Sequence, residues 1–375
     1  MTPTPATNPP LRLHFLDGLR GVAALYVMFG HAWLIIWPDM RFAPRGVTGA
    51  LTTWLAFGHV AVAVFIVVSG FCLALPVVKA GGELRGGARR FFARRAKRII
   101  PPYYFAIALS SILLATLIGQ PTGSRWDFSI PFGGRDWIHS LVTHVFFLND
   151  FWDVYKLNGV FWSIAVEWQI YFLFPPLVIL WRRISPLAAT LIAVVLSFAA
   201  AWWTRDWAMD QRFIQFVGLF ALGMLGAHVA FAPQCAVAIR KIPLAAIFGL
   251  SAAAAVGICL TGPAAALGQW LLPLDFLVGV ATIAWIVRAC LCAQNQRRVF
   301  LSGRPIVFVG EFSYSLYLIH FPLLQVIWQY AIAPRGLDAS AAFALLALAG
   351  APLVVFAAFI FFLACERPFL NRRPA

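Results

Sequence analysis

The chain has 375 residues, of which 62% are hydrophobic and 11% are charged, with a formal net charge of +15. Soluble domains carry roughly a quarter charged residues and just under half apolar ones, so a soluble fold could not bury this much apolar surface. In a membrane protein, the distribution of basic residues among the loops indicates on which side of the membrane each loop lies. We therefore predict no nucleic-acid partner from the net charge. The cysteines lack metal-ligand spacing, so we expect free thiols and no metal site.

Apolar stretches of about 20 residues recur along the chain, each long enough to cross a hydrocarbon layer of about 30 Å as a helix. The sequence therefore predicts an all-α polytopic membrane protein of about ten transmembrane helices. The predicted ranges are 15 to 37, 53 to 78, 99 to 120, 159 to 182, 185 to 203, 211 to 232, 242 to 261, 268 to 291, 304 to 332 and 340 to 365. A shorter apolar stretch, 137 to 148, is predicted to be interfacial or re-entrant.

Basic and acidic loops alternate, which predicts that both the N-terminus and the C-terminus are cytoplasmic and that the protein is a multi-pass protein of the inner (plasma) membrane. The loops expected inside are rich in arginine and lysine, above all segment 79 to 98. The loops expected outside hold Asp39, Asp127, Asp136, Asp150, Asp153, Asp206, Asp210 and Asp338. We expect a disordered tail at 1–12 with no cleavable signal peptide, a membrane domain at 13–370 with an outer loop at 121–158, and a cytoplasmic tail at 371–375.

Ionisable side chains recur inside the predicted spans. A charge at the bilayer centre costs about 2.5 to 3.5 kcal/mol on insertion scales, so each such residue requires a partner or a function. The residues concerned are Arg20, His31, Glu167, Asp275 and Glu311, the last beside a polar stripe of Ser313, Tyr317 and His320.

Arg20 and His31 lie on one face of the first predicted helix. Their spacing of eleven residues separates them by about 16 Å along the helix axis. Asp17, three residues before Arg20, is placed to pair with it. The alternative is that Asp17 and Arg20 form an interfacial ion pair and that His31 is a buried, hydrogen-bonded histidine, with no catalytic role for either.

Ser163, Glu167 and Tyr171 recur every four residues and form a polar stripe on the fourth predicted helix. Glu167 would lie about 12 Å, and His31 about 9 Å, below the outer edge of the membrane. At similar depths on antiparallel helices, the two side chains could form an acid/base pair. The alternative is a glutamate that only stabilises helix packing.

Arg94, Arg95, Lys97 and Arg98 form a basic cluster where the third predicted helix leaves the cytoplasm. The cluster either marks the layer of lipid headgroups or binds the phosphates of an anionic ligand. Arg95 and Arg98 share a helix face, which suits them to a diphosphate.

Six segments, in the order expected for one family, resemble membrane acyltransferase family 3, whose members O-acylate cell-surface glycans and related acceptors. They are LDGLRGVAALYVMFGH (16 to 31), VFIVVSGFCLA (64 to 74), RRAKRIIPPYY (94 to 104), GVFWSIAVEWQIYFLFP (159 to 175), GEFSYSLYLIHFPLL (310 to 324) and ERPF (366 to 369). The family motifs fall on Arg20 and His31, on Arg95 and Arg98, on the SGF that begins at Ser69, and on Glu167.

The resemblance implies an acyl-CoA donor that enters from the cytoplasm and an acceptor on the outer side. Some members of the family carry an additional periplasmic esterase-like domain, which we do not expect here. Transfer would then be completed by the membrane domain or passed to a separate protein.

We therefore predict an integral membrane O-acyltransferase that moves an acyl group, expected to be acetyl, from cytoplasmic acyl-CoA to a hydroxyl of a cell-surface or periplasmic glycan. His31 would be the general base, Glu167 would orient its imidazole, and Arg20 would stabilise negative charge along the donor path. The residues predicted to bind the donor are Arg94, Arg95, Arg98 and Ser69. An acyl-enzyme route through Ser69, Ser163 or a tyrosine stays open.

Two other classes of function are alternatives to an acyltransferase. A transporter or flippase could use them as a proton or substrate relay, but the sequence shows no internal repeat and no matched pair of broken helices. A lipid-binding or scaffold protein would leave them without a purpose. The sequence leaves the acceptor open among lipopolysaccharide sugars, exopolysaccharides, peptidoglycan, periplasmic glucans and small natural products, and the oligomeric state is also left open.

Overall fold

The computed structural model describes residues 13–40, 44–118, 134–152, 157–203 and 214–370. Within these ranges the regular elements are helices, and there is no β-strand. Several predicted features lie outside the described residues: the tails at 1–12 and 371–375, loop residues 121–133 and 153–156, Asp206, Asp210, and the first residues of the span predicted from 211.

The helices that position the site are numbered here in chain order. They are α1 His14–Ile36, α2 Gly46–Lys79, α3 Gly87–Ile118, α4 Arg135–Val145, α5 Phe161–Arg183, α6 Pro186–Trp203, α7 Gln215–Phe231, α8 Leu244–Cys259, α9 Leu271–Gln294, α10 Arg304–Glu311, α11 Ser313–Arg335 and α12 Ala339–Phe369.

Among the described residues, eight helices are long and apolar enough to cross a membrane: α1, α2, α3, α5, α6, α9, α11 and α12. A ninth crossing results if α7 and the segment Pro233–Lys241, bent by 79° against it, form one span. Helix α8 is apolar but has only 16 residues. Each predicted range overlaps a helix among the described residues, so the polytopic all-α fold is confirmed; the orientation of the termini stays a prediction.

The span predicted from 304 to 332 is broken in two. Helix α10 ends at Glu311 and α11 begins at Ser313, with the intervening Phe312 outside helical geometry at φ −116° and ψ 19°. The break leaves backbone N–H groups at the start of α11 without partners in their own helix. Glu366 on α12 satisfies one of them, because its Oε2 accepts hydrogen bonds from the Ser315 backbone N–H at 3.2 Å and from Ser315 Oγ at 2.5 Å.

Two helices differ in extent from their predicted ranges. Helix α3 begins at Gly87, after the left-handed Gly86, so the arginine cluster lies on the helix itself. The short apolar stretch after residue 134 forms α4, an 11-residue helix. Tyr103 Oη donates a hydrogen bond to the His144 carbonyl at 3.2 Å, which joins the end of α4 to α3.

Helices α2 and α7 approach each other closely at two glycines. A Cβ at Gly70 would collide with the Phe220 carbonyl, and a Cβ at Gly223 would collide with the Val67 carbonyl. Small residues of this kind let membrane helices approach at backbone distance. Gly70, in the SGF motif, therefore holds α2 in position and with it the neighbouring Ser69.

Candidate functional site

A cavity of about 270 Å³ lies between α1, α2, α3, α5 and α11. Its polar and aromatic walls contain most of the residues that the sequence indicated. The lining comprises Arg20, Val62, Phe65, Ile66, Ser69, Cys72, Leu73, Arg95, Arg98, Ile99, Ser163, Ile164, Glu167, Tyr171, Ser313, Tyr314 and Tyr317.

Arg95 and Arg98 form the basic part of this cavity. They lie three residues apart on α3, so both side chains reach the same face. The Nε atom of Arg95 is buried and has no hydrogen-bond partner among the described residues. An unsatisfied buried donor is costly, so an anion in the cavity would be a favourable partner. Arg94 does not line the cavity.

Glu167 lies on the cavity wall and accepts two hydrogen bonds at Oε1. Ser69 Oγ donates one at 2.8 Å, and Tyr171 Oη donates the other at 2.6 Å. The two hydroxyl oxygens are themselves 3.3 Å apart. The carboxylate therefore organises a hydroxyl cluster that joins α2 to α5.

Arg20 lines the cavity opposite this cluster. Its Nη1 lies 3.5 Å from Asp17 Oδ1, so the pair expected from the spacing forms on α1. Its Nη2 donates to Cys72 Sγ at 3.4 Å. The guanidinium is thus held by groups on α1 and α2 while it faces the cavity.

Tyr317 lies between the cavity and the two histidines His320 and His31. Its hydroxyl and Ser163 Oγ are 2.6 Å apart, and both residues line the cavity. On its other side, the Tyr317 ring centroid lies 5.8 Å from that of His320. His320 in turn contacts His31, whose Nδ1 is 2.8 Å from His320 Nε2.

The hydrogen bonds of His320 determine which nitrogen of His31 is free. His320 Nδ1 lies 3.0 Å from the Leu316 carbonyl and 2.8 Å from the Tyr317 carbonyl. Carbonyl oxygens only accept, so His320 Nδ1 carries the proton and, in the neutral ring, Nε2 is an acceptor. His31 Nδ1 must then donate to it, which leaves the lone pair on His31 Nε2 available for a proton.

The structure corrects the predicted pairing of His31 with Glu167. His31 is bonded to His320, and Glu167 is bonded to Ser69 and Tyr171. Similar depth in the membrane was the basis of the prediction, but depth does not specify the direction in which a helix face points. Arg20, Arg95, Arg98, Ser69 and Glu167 do share one cavity, whereas His31 does not line it.

Sequence reasoning missed two positions that the structure makes important. His320 was noted only as part of a polar stripe, although its place in the HF dipeptide of the fifth motif marked it as a buried ionisable residue. Glu366, in ERPF, is 2% exposed and holds the start of α11, the helix of Tyr317 and His320. A glutamate that begins the last motif, directly after a predicted span, was the available signal for this role.

The chain matches known acyltransferases over most of its length. The model of a family described as "Acyltransferase domain" matches residues 13–365. Acyltransferase MdmB of Streptomyces mycarofaciens is 26% identical over 350 residues, which cover 84% of this chain and 81% of MdmB. O-acetyltransferase OatA of Staphylococcus aureus is 25% identical over 350 residues, which cover 86% of this chain and 52% of OatA.

A third relative, nodulation protein 10 of Rhizobium leguminosarum bv. viciae, is 27% identical over 206 residues, or 52% of this chain and 51% of that protein. The alignments with OatA and nodulation protein 10 thus span about half the length of these relatives. No solved structure matches the chain.

Proposed function

We propose, on the premise that this chain belongs to the acyltransferase domain family, that it is an integral membrane O-acyltransferase of the inner membrane. The donor is cytoplasmic acyl-CoA, with acetyl as the acyl group, and the acceptor is a hydroxyl of a cell-surface or periplasmic glycan. One observation carries the proposal: a single cavity joins the arginine pair of α3 to Tyr317, which contacts the histidine pair.

The donor binds with its phosphates at Arg95 and Arg98. Two guanidinium groups on one helix face match a diphosphate in charge and geometry, and burial strengthens such hydrogen bonds. The thioester arm extends along the wall formed by Ser69, Glu167 and Tyr171 toward Tyr317. Arg20 stabilises negative charge on this path. Glu167 is a positioning residue in this mechanism, because its contacts hold hydroxyl groups in place.

His31 acts as the general base on the acceptor. Its Nε2 takes the proton from the acceptor hydroxyl as the hydroxyl oxygen attacks the thioester carbonyl, and the tetrahedral intermediate then expels the coenzyme A thiolate. The imidazolium returns the proton to this thiolate, so the products are the acyl ester and free coenzyme A. His320 Nε2 accepts the hydrogen bond from His31 Nδ1 throughout, which orients the base and stabilises its charged form.

Two observations support an acceptor that arrives from the opposite side to the donor. His31 lies toward the end of α1 remote from Arg20, it does not line the donor cavity, and it is only partly buried. If the N-terminus is cytoplasmic, as the basic loops indicate, that side is the outer one. The printed activity of OatA, O-acetyl transfer, supports acetyl as the acyl group.

The proposal is tested by the ester content of surface glycans, measured by mass spectrometry in cells with and without the gene. A strain that expresses His31→Gln at the parental level is the matched control, because it retains the protein in the membrane. We expect O-acyl groups to disappear from one glycan in both the deletion and the His31→Gln strain. Identical ester profiles in all strains, together with no release of free coenzyme A by the purified protein, would refute the proposal.

A further inference from the structure

A long apolar groove runs between α1, α8, α9 and the start of α2, separate from the acyltransferase cavity. Its volume is about 650 Å³, and its walls include Tyr26, Trp54, Leu274 and Trp285. On α8 it extends from Phe248 to Cys259, which corresponds to about 16 Å of helix. Half of a hydrocarbon layer of about 30 Å is about 15 Å. The groove therefore has the length of one acyl chain within one leaflet.

One end of this groove is basic. A pocket of about 310 Å³ that contains Arg288 and Arg298 shares Phe248, Trp285 and Phe300 with the groove, so the two spaces adjoin. Both arginines are exposed, and no carboxylate among the described residues pairs with either of them. The mouth of the groove thus carries two positive charges without a counterion among the described residues.

The depth of Arg288 in the membrane indicates which anion would pair with these two arginines. Arg288 precedes Gln294, the last residue of α9, by six positions, which is about 9 Å. An exposed arginine at this depth faces the lipid, where its charge is costly unless an anion or water reaches it. The anion present at the edge of the hydrocarbon layer is the phosphate of a phospholipid.

The leaflet follows from the packing of α1. The Leu301 carbonyl lies against Gly18, near the first residue of α1, so the loop that carries Arg298 lies beside the N-terminal end of that helix. This is the end predicted to face the cytoplasm. The groove accordingly opens toward the inner leaflet.

We propose that the groove and its basic mouth bind one anionic phospholipid of the inner leaflet. Its phosphate lies between Arg288 and Arg298, and one acyl chain lies along α8 and α9 against Tyr26 of α1. The bound lipid connects α8 and α9 to the helix that carries Arg20 and His31. This proposal does not depend on the reaction that the protein catalyses.

The test uses the full chain, purified in detergent and depleted of lipid, with binding followed by native mass spectrometry and by thermal unfolding. Phosphatidylglycerol is titrated beside phosphatidylcholine with the same acyl chains, and beside glycerol 1-phosphate and inorganic phosphate as anions without chains. We expect phosphatidylglycerol to bind one molecule per chain and to raise the unfolding temperature. Phosphatidylcholine should bind roughly tenfold more weakly, and the free anions should have no effect.

Paired variants separate the two parts of the site. Arg288→Gln with Arg298→Gln should weaken phosphatidylglycerol binding roughly tenfold or more, whereas Arg240→Gln with Lys241→Gln removes the same charge from another loop and should not. Ala252→Phe fills the groove and should weaken binding, whereas Ala253→Phe, on an exposed face of α8 outside the groove, should not.

Three results would overturn the lipid site. The first is an unchanged affinity after loss of both arginines, and the second is an equal loss in the Arg240 and Lys241 control. The third is equal stabilisation by inorganic phosphate, which would make the mouth a site for free anions.

Discussion

The hydrogen bond between His31 Nδ1 and His320 Nε2, 2.8 Å long, determines how His31 can act. Two backbone carbonyls hold the proton on His320 Nδ1, so the free lone pair of the dyad lies on His31 Nε2. Histidine is suited to this role because its unperturbed pKa, about 6.5, is near neutrality. In the proposed mechanism, His31 is therefore the base and His320 the partner that orients it.

His31→Gln should abolish acyl transfer, because glutamine retains a hydrogen bond but has no basic nitrogen. We expect a loss of about 10² to 10⁴ in the rate, while the affinity for the donor is retained. His320→Gln keeps an acceptor for His31 and should lose only about 10- to 100-fold. The measurement is release of free coenzyme A from acetyl-CoA, with His228→Gln as a control outside the site. Near-normal transfer by a well-inserted His31→Gln variant would rule out its role as the base.

Arg95→Ala with Arg98→Ala should weaken donor binding without affecting membrane insertion. Hydrogen bonds to charged groups contribute about 1.5 to 3 kcal/mol each, so we expect a loss of at least about tenfold per arginine. Calorimetric titration with acetyl-CoA measures this loss. The control is Arg89→Ala with Arg90→Ala, an exposed pair on the same helix that does not line the cavity. If the variant without Arg95 and Arg98 bound acetyl-CoA with unchanged affinity, the two arginines would instead be assigned to the binding of lipid headgroups.

At the scale of elements, the position of the site depends on how closely α2 and α7 pack. Gly70 contacts the Phe220 carbonyl and Gly223 contacts the Val67 carbonyl, so neither residue has room for a side chain. Ser69 precedes Gly70, and its hydroxyl bonds Glu167 across to α5. A shift of α2 would therefore move Ser69 away from Glu167 and Tyr171 and disrupt the hydroxyl cluster that lines the cavity.

Gly70→Ala should destabilise the protein, because its methyl group would collide with backbone atoms that cannot move independently. Overpacking of this kind costs about 1 to 3 kcal/mol. The matched control is Gly257→Ala in α8, where a Cβ meets open space and alanine favours the helix. Thermal unfolding of the two purified variants should show a lower midpoint for Gly70→Ala than for the parent. An equal or higher midpoint for Gly70→Ala would contradict the packing that the structure shows.

For the whole molecule, the direction of transfer depends on orientation, which is tested by reporter fusions. A reporter that is active only in the periplasm should work after Gln120 or Arg205 and should be silent after Gly82, Arg183 or Ala375, because the basic loops are predicted to lie inside. Immunoblots of each fusion control for expression. An active reporter at the C-terminus would contradict the predicted even number of crossings, which places both termini inside.

Composition and local pattern were sufficient to predict the fold class and most of the cavity wall. A chain that is 62% hydrophobic has no soluble alternative, and the spacing of Arg95 and Arg98 fixes their common face on any helix. The pairing of His31 could not be predicted in the same way. Depth follows from residue number at about 1.5 Å per residue, but the rotation of a helix about its axis is decided by its neighbours.

Only the tertiary structure decided that His31 faces His320 while Glu167 faces Ser69 and Tyr171. Close contacts at Gly21 and Gly310 set the rotation of α1 against α10. The helix break at Phe312, which Glu366 stabilises through Ser315, sets the direction of α11 independently of α10. The sequence by itself determined the fold class and the candidate site residues, because residue types and local spacing do not depend on packing. Which of these residues are partners depends on backbone contacts between distant segments.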